Sequence, residues 1–328
     1  MKKTMYMNPI VLERADPWIY KHTDGYYYFT GSLPGYQSIE VRRAKTIDGL
    51  KEAETLLVWH APETGPMSQL IWAPEIHYIQ EKWYIYFAAS DHAEIRDREH
   101  HHRMFVLENS SIDPMNTDWE VKGQIITAAD TFSLDGTTFT HQGKLYYVWA
   151  QLDPRIPGNS NLYLSEMANP WTLTGKQLLL AIPEFPWEKR GFSVNEGPAV
   201  LIRNGKVFIT YSGSATDENY AMGLLWAEAS ADLLDGYSWH KHSEPVFVSS
   251  EENKQFGPGH NSFTLSEDGQ EDVLVYHARP EKNEGIDPLN NPNRHANAQV
   301  FSWDTEGFPV FGEPVAYAAD VRASFQAK

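Results

Sequence analysis

Apolar residues along this chain gather in short runs separated by polar, glycine-containing turns. Five runs dense in aromatic and β-branched residues stand out: YYYFTGS from Tyr26, WYIYFAAS from Trp83, LYYVWAQ from Leu145, VFITYSGS from Val207 and VLVYHAR from Val273. These residue types fit a pleated, buried surface. Several of the runs follow a turn signal, as at Asp24-Gly25, Gln142-Gly143-Lys144, Asn204-Gly205-Lys206 and Asp268-Gly269. Each also has a shorter apolar arm before the turn, so each reads as the second arm of a hairpin. Helical periodicity is scarce, with residues 230–234 as one short candidate.

The five runs start 57 to 66 residues apart, which is repeat spacing. Radial repetition of four-stranded sheets is one way to protect strand edges, and units of this length suit propeller blades with loops. The pattern predicts an all-β protein, a five-bladed β-propeller forming one catalytic domain over residues 1–328. A sandwich does not need five similar hairpins, and the coils of a β-helix are shorter.

Composition narrows the partners. The net charge of −17 repels a phosphate backbone or an anionic membrane surface, so nucleic acid and membrane are excluded as expected partners. The absence of cysteine removes disulfides, thiolate metal sites and cysteine nucleophiles. The N-terminal stretch has two lysines but no apolar segment of signal-peptide length, and no run approaches a membrane span. The expectation is a cytoplasmic protein. The sequence sets no oligomeric state.

Counting back about ten residues from each second arm reaches Ala15-Asp16-Pro17, Pro74-Glu75-Ile76, Leu134-Asp135-Gly136, Asn195-Glu196-Gly197 and Gly259-His260-Asn261. In a propeller the first strand of a blade lines the central channel, so four carboxylates and one imidazole are expected to converge at one mouth. Like charges raise one another's pKa, which makes such a ring costly without a chemical need. One copy alone would be read as turn chemistry, since Asp before Pro or Gly is common in turns. The fivefold register is what favours catalysis. Paired carboxylates with separated pKa values are the working parts of glycoside hydrolysis. Glu196, in the apolar FSVNEGPAV, suits a general acid. Asp16, shorter and near Arg14, suits an ionised base. Asp135 could hold the acid and raise its pKa by like charge.

The segments RADPWI, WAPEIH, SLDGTTF, NEGPAV and GHNSF, in this order and spacing, resemble glycoside hydrolase family 43, the five-bladed propeller enzymes that process arabinan and xylan. The likeness runs from residue 8 to roughly residue 314. It implies an inverting enzyme with Asp16 as general base, Glu196 as general acid and Asp135 as the residue that tunes and orients the acid. It implies no organic cofactor. It also implies a calcium or similar ion near His260, coordinated largely through water, and a sugar- or carboxylate-binding role for Arg294. Glu75 departs from the aspartate of many relatives, which puts a specific role for it in doubt.

The activity expected is release of terminal α-L-arabinofuranose from arabinan or arabinoxylan oligosaccharides by an exo-acting enzyme. β-Xylosidase, endo-arabinanase and a non-catalytic carbohydrate-binding propeller remain as alternatives. Substrate contacts are expected from Trp72, Glu75, Arg294 and His260, with Trp72 the tryptophan placed to floor a pocket. His260 can equally be a plain channel-lining hydrogen bonder. The tract 91–104 has three consecutive histidines and reads mainly as a solvated loop. With the stretch 152–161 it could wall off one channel mouth.

Overall fold

The computed structural model describes residues 4–95, 100–283, 285 and 287–326. Its strands form five blades around a channel. The first holds β1 (Ala15–Lys21), β2 (Tyr27–Ser32), β3 (Ser38–Ala44) and β4 (Glu54–His60). The second holds β5 (Gln69–Ile79), β6 (Lys82–Ser90), β7 (Arg103–Asn109) and β8 (Glu120–Gln124). In the third are β9 (Ser133–His141), β10 (Lys144–Gln151), β11 (Asn161–Asn169) and β12 (Thr172–Ala181). The fourth has β13 (Asn195–Arg203), β14 (Lys206–Gly213), β15 (Ala221–Glu228) and β16 (His240–Lys241). The fifth has β17 (Phe256–Leu265), β18 (Asp272–Arg279) and β19 (His295–Val300). A small hairpin, β20 (Ser302–Trp303) with β21 (Pro309–Val310), and a helix, α1 (Ala319–Gln326), follow. Neighbouring strands within each blade are antiparallel.

Burial follows position in the blade. The second strands, which carry the five aromatic-rich runs, are covered on both faces by adjacent blades, and β2, β14 and β18 are buried almost throughout. The outer strands β8 and β12 are half-buried to exposed. Trp83, Trp149, Tyr86, Tyr147, Tyr211 and Tyr276 are fully buried. Burying such side chains contributes about 1.5–3 kcal/mol each, which is why the runs are so dense in them.

The ring closes through the chain's beginning. Ile10 and Val11 pair with Ala296 of β19, and the Asn8 side chain makes two 2.8 Å hydrogen bonds to the Ala298 backbone. The N-terminal segment thus extends the fifth blade outward. Residues 230–234, read from sequence as helical, form turns instead. Among the described residues no helix is long and apolar enough to cross a membrane.

Candidate active site

Every innermost strand is interrupted at the same point. The ladder to the second strand slips between Ala15 and Trp18, Trp72 and Glu75, Leu134 and Thr137, Glu196 and Ala199, and Gly259 and Ser262. The residue after the slip begins is left-handed in all five: Asp16 (φ 54°), Ala73 (45°), Asp135 (55°), Gly197 (55°) and His260 (42°). Such bulges re-aim a side chain, and a non-glycine residue held there stores roughly 1–3 kcal/mol. The fourth blade uses a glycine at this position. An added Cβ at Gly197 would meet His260 Cγ at 3.0 Å.

This register corrects the ring read from sequence. The equivalent positions are Asp16, Ala73, Asp135, Gly197 and His260, so Glu196 stands one residue early and Glu75 two residues late. An ionisable residue near the same point of every unit gave the impression of equivalence, but a bulge shifts which neighbour faces the axis.

Asp16 is buried and surrounded by donors. Ser32 Oγ donates to its Oδ2 at 2.6 Å, and Arg294 Nη1 donates to Oδ1 at 3.4 Å. His260 Nδ1 lies 3.2 Å from Oδ1. Burial alone would raise the Asp16 carboxyl, but His260 and Arg294 outweigh it and hold the group well below the usual carboxylate range. Of these two, Arg294 is the charge that persists at neutral pH, because burial depresses the His260 imidazole. Arg14 has no part in this. It bonds Glu40 through Nε and Nη2, at 3.2 and 3.1 Å.

Glu196 and Asp135 behave oppositely. Burial raises the Glu196 carboxyl to about 7, helped by the Asp16 charge and opposed by a hydrogen bond from Tyr220 and by Arg294. Asp135 also rises well above the ordinary value, from burial and from the Glu196 and Asp16 charges, although the Gly197 N–H donates to its Oδ2 at 3.0 Å. Two carboxyls in one buried site cannot both ionise cheaply, so they hold a proton between them at neutral pH.

The four groups and Arg294 line one cavity of about 270 Å³, shared with Trp72 and Tyr36. That is slightly below the roughly 300–1,000 Å³ of typical small-ligand clefts. Trp72 stacks on His102 at 3.8 Å, and its indole N–H has no partner among the described residues. Ile95 and His100 from the loop after β6, and Asn159 from the loop after β10, form part of the wall, so both loops flagged in the sequence contribute. Residues 96–99 of the first loop lie outside the described residues. Phe192 and the segment 287–289 complete the rim, and Tyr36 donates to the Leu289 carbonyl, tying the fifth blade's loop to the first blade.

Glu75 is absent from this cavity. It is buried and paired with His77 Nε2 at 3.0 Å. Burial raises Glu75 well above its ordinary value and depresses His77 to about 3, so the pair is uncharged. As for calcium, the ion takes six to eight oxygen ligands. Beside His260 the nearby carboxylates already answer Ser32, Arg294 and the Gly197 amide. These residues do not form a protein cage for calcium. An ion there would take one imidazole nitrogen and otherwise water, and no chemical step is assigned to it.

Three residues of the site escape sequence reading. Tyr220 donates to Glu196 Oε1 at 2.8 Å, Tyr36 accepts from Arg294 Nη2 at 3.1 Å, and His277 Nδ1 accepts the Asp16 amide at 3.1 Å. That last bond requires a neutral His277, in keeping with a pKa lowered to about 3, chiefly by burial. Tyr36 and Tyr220 sit outside the repeated motifs. His277 lies within a run that reads as core strand.

A model of the glycosyl hydrolases family 43 matches residues 6–309. The chain is 50% identical over 311 residues to the extracellular exo-α-(1→5)-L-arabinofuranosidase of Streptomyces avermitilis, covering 95% of this chain and 64% of that protein. It is 53% identical over 283 residues to the protein of the same name from Streptomyces chartreusis, covering 86% and 85%. The crystal structure of an α-L-arabinofuranosidase from Lactobacillus brevis superposes with a TM-score of 0.94 at 57% identity, covering 95% of this chain and 98% of that one. The chain therefore spans a little under two thirds of the Streptomyces avermitilis protein. The names of the two Streptomyces relatives overturn the cytoplasmic expectation, because both are called extracellular. The apolar content near Met1 was not a sound measure of compartment.

Proposed function

Because the chain belongs to glycosyl hydrolases family 43, we propose that it is an exo-acting, inverting α-L-arabinofuranosidase that releases terminal arabinofuranose from arabinan or arabinoxylan oligosaccharides. Asp16 takes a proton from a water whose oxygen bonds to the anomeric carbon. The glycosidic C–O bond breaks as Glu196 gives its proton to the departing oxygen. Asp135 orients Glu196 by accepting the N–H of the adjacent Gly197, while burial and the Asp16 charge keep the proton on Glu196. Arg294 holds Asp16 ionised, and the Trp72 ring forms part of the wall that the sugar packs against.

One observation carries this reading: a carboxylate held ionised and a carboxyl raised to about 7 face the same small cavity. Inverting chemistry needs the two about 6.5–9.5 Å apart so that water fits between them. The walled pocket supports removal of one terminal residue rather than internal cleavage. The names of the two Streptomyces relatives support the arabinofuranose and the α-(1→5) linkage.

The test is product analysis on α-1,5-linked arabino-oligosaccharides, with the anomer of fresh product followed by NMR. Stepwise release of arabinose as the inverted anomer is expected. Faster release of xylose from xylo-oligosaccharides, early mid-chain products or retention of configuration would each overturn the proposal.

A further inference from the structure

The turn between β6 and β7 brings together side chains that the hydrolytic site does not use. Ala89 of β6 pairs with Arg103 of β7, so Asp91 and His92, just past one strand, lie beside His101, just before the other. His101 Nδ1 is 2.9 Å from Asp91 Oδ1, and His92 Nδ1 is in closer contact with the same oxygen. One ligand atom from each of the three lies within 4.8 Å of the others, and the two imidazoles stack at 5.2 Å. The His92 side chain is 10% exposed, and its Nε2 is buried without a partner among the described residues. A ring buried with an unmet nitrogen is costly to hold unless something recruits it.

We infer that Asp91, His92 and His101 form a site for a first-row divalent cation such as Zn²⁺, which clips the loop walling the sugar pocket. Two imidazoles and one carboxylate are a borderline donor set that favours zinc over calcium or magnesium. Three protein ligands leave one tetrahedral position for water. None of the three lines the cavity, but Ile95 and His100, carried on the same loop, do. The ion would hold Asp91 and His92 against His101, fixing the two stretches that present Ile95 and His100 to the cavity, and its binding energy becomes ordering energy there. The ion takes no part in bond cleavage.

The experiment is calorimetric titration of Zn²⁺ into chelator-treated, dialysed protein, alongside Asp91→Asn and His101→Gln, two substitutions at half-exposed positions. One ion per chain is expected, with affinity down on the order of tenfold or more in each variant. Hydrogen exchange of the amides of residues 92–95 and 100–101 should slow when Zn²⁺ is added to the wild type and stay unchanged in His101→Gln. No binding, or equal binding in all three proteins from adventitious histidines elsewhere, overturns the site. Binding without slower exchange overturns the clip. Neither readout depends on what the enzyme hydrolyses.

Discussion

The Tyr220 hydroxyl donates to Glu196 Oε1 at 2.8 Å, while its ring lies nearly parallel to His277 at 5.5 Å, and His277 accepts the Asp16 amide. One tyrosine therefore touches the surroundings of both proposed catalytic carboxyls. Its hydrogen bond favours the ionised form of Glu196 and so limits how far burial raises that group. Tyr220→Phe should move the alkaline limb of the kcat/KM profile to higher pH and leave KM little changed. A purely structural tyrosine would lower the yield of folded protein without moving that limb.

Glu196→Gln removes the transferable proton and keeps the shape. On arabino-oligosaccharides kcat/KM should fall by about 10²–10⁴, the usual worth of general acid catalysis. On a nitrophenyl arabinofuranoside, whose leaving group needs little protonation, the loss should be much smaller. Equal losses on both substrates would argue that Glu196 does not protonate the departing oxygen.

The pH profile follows from the two opposed shifts. Activity requires Asp16 ionised and Glu196 protonated. With Asp16 held well below the carboxylate range and Glu196 raised to about 7, kcat/KM should be flat through weakly acidic pH. It should fall as pH rises through about 7. Arg294→Met removes the persistent positive charge beside Asp16 and should bring an acidic limb into the measurable range. If that variant lost activity uniformly at every pH, Arg294 would be binding substrate rather than tuning the base.

Stability carries the same signature. Glu196 has a folded pKa above its unfolded value, so its contribution is full below about 4.5 and is lost as pH rises through about 7. Glu196→Gln does not titrate. Its unfolding free energy should gain on the wild type across that window, by on the order of 3 kcal/mol at pH 8. Denaturant melts of both proteins at pH 5 and pH 8 measure this, and an unchanged difference would contradict the buried, raised carboxyl.

Glu75→Gln should keep kcat/KM within about threefold of wild type, because Glu75 is already uncharged and lies outside the cavity. A large rise in KM would restore it as a sugar ligand.

The repeat of five aromatic-rich runs carried the fold, because both faces of each second strand are buried and the sequence must supply apolar residues at nearly every position there. Asp16, Asp135, Glu196, His260, Trp72 and Arg294 were legible through the flanking motifs, and all six line the cavity. Glu75 was misplaced because counting residues back from a strand treats every unit as regular, whereas a bulge changes the facing by one or two positions. Tyr36, Tyr220 and His277 were invisible because nothing local marks them. Each matters through a hydrogen bond to a residue far along the chain, such as the 24 positions from Tyr220 to Glu196 or the 261 from His277 to Asp16.

The seam between the chain's beginning and the fifth blade bears on biosynthesis. Asp16 leaves the ribosome well before its counter-ion Arg294, which follows 278 positions later, just ahead of the Ala296 that anchors Ile10 and Val11. At ordinary elongation rates of about 5–20 residues per second, that interval is on the order of tens of seconds. Four blades can emerge in succession while the first waits with an unneutralised acid and an open flank. Hydrolytic competence should therefore arise in a single late event, when the fifth blade has emerged and the propeller is sealed.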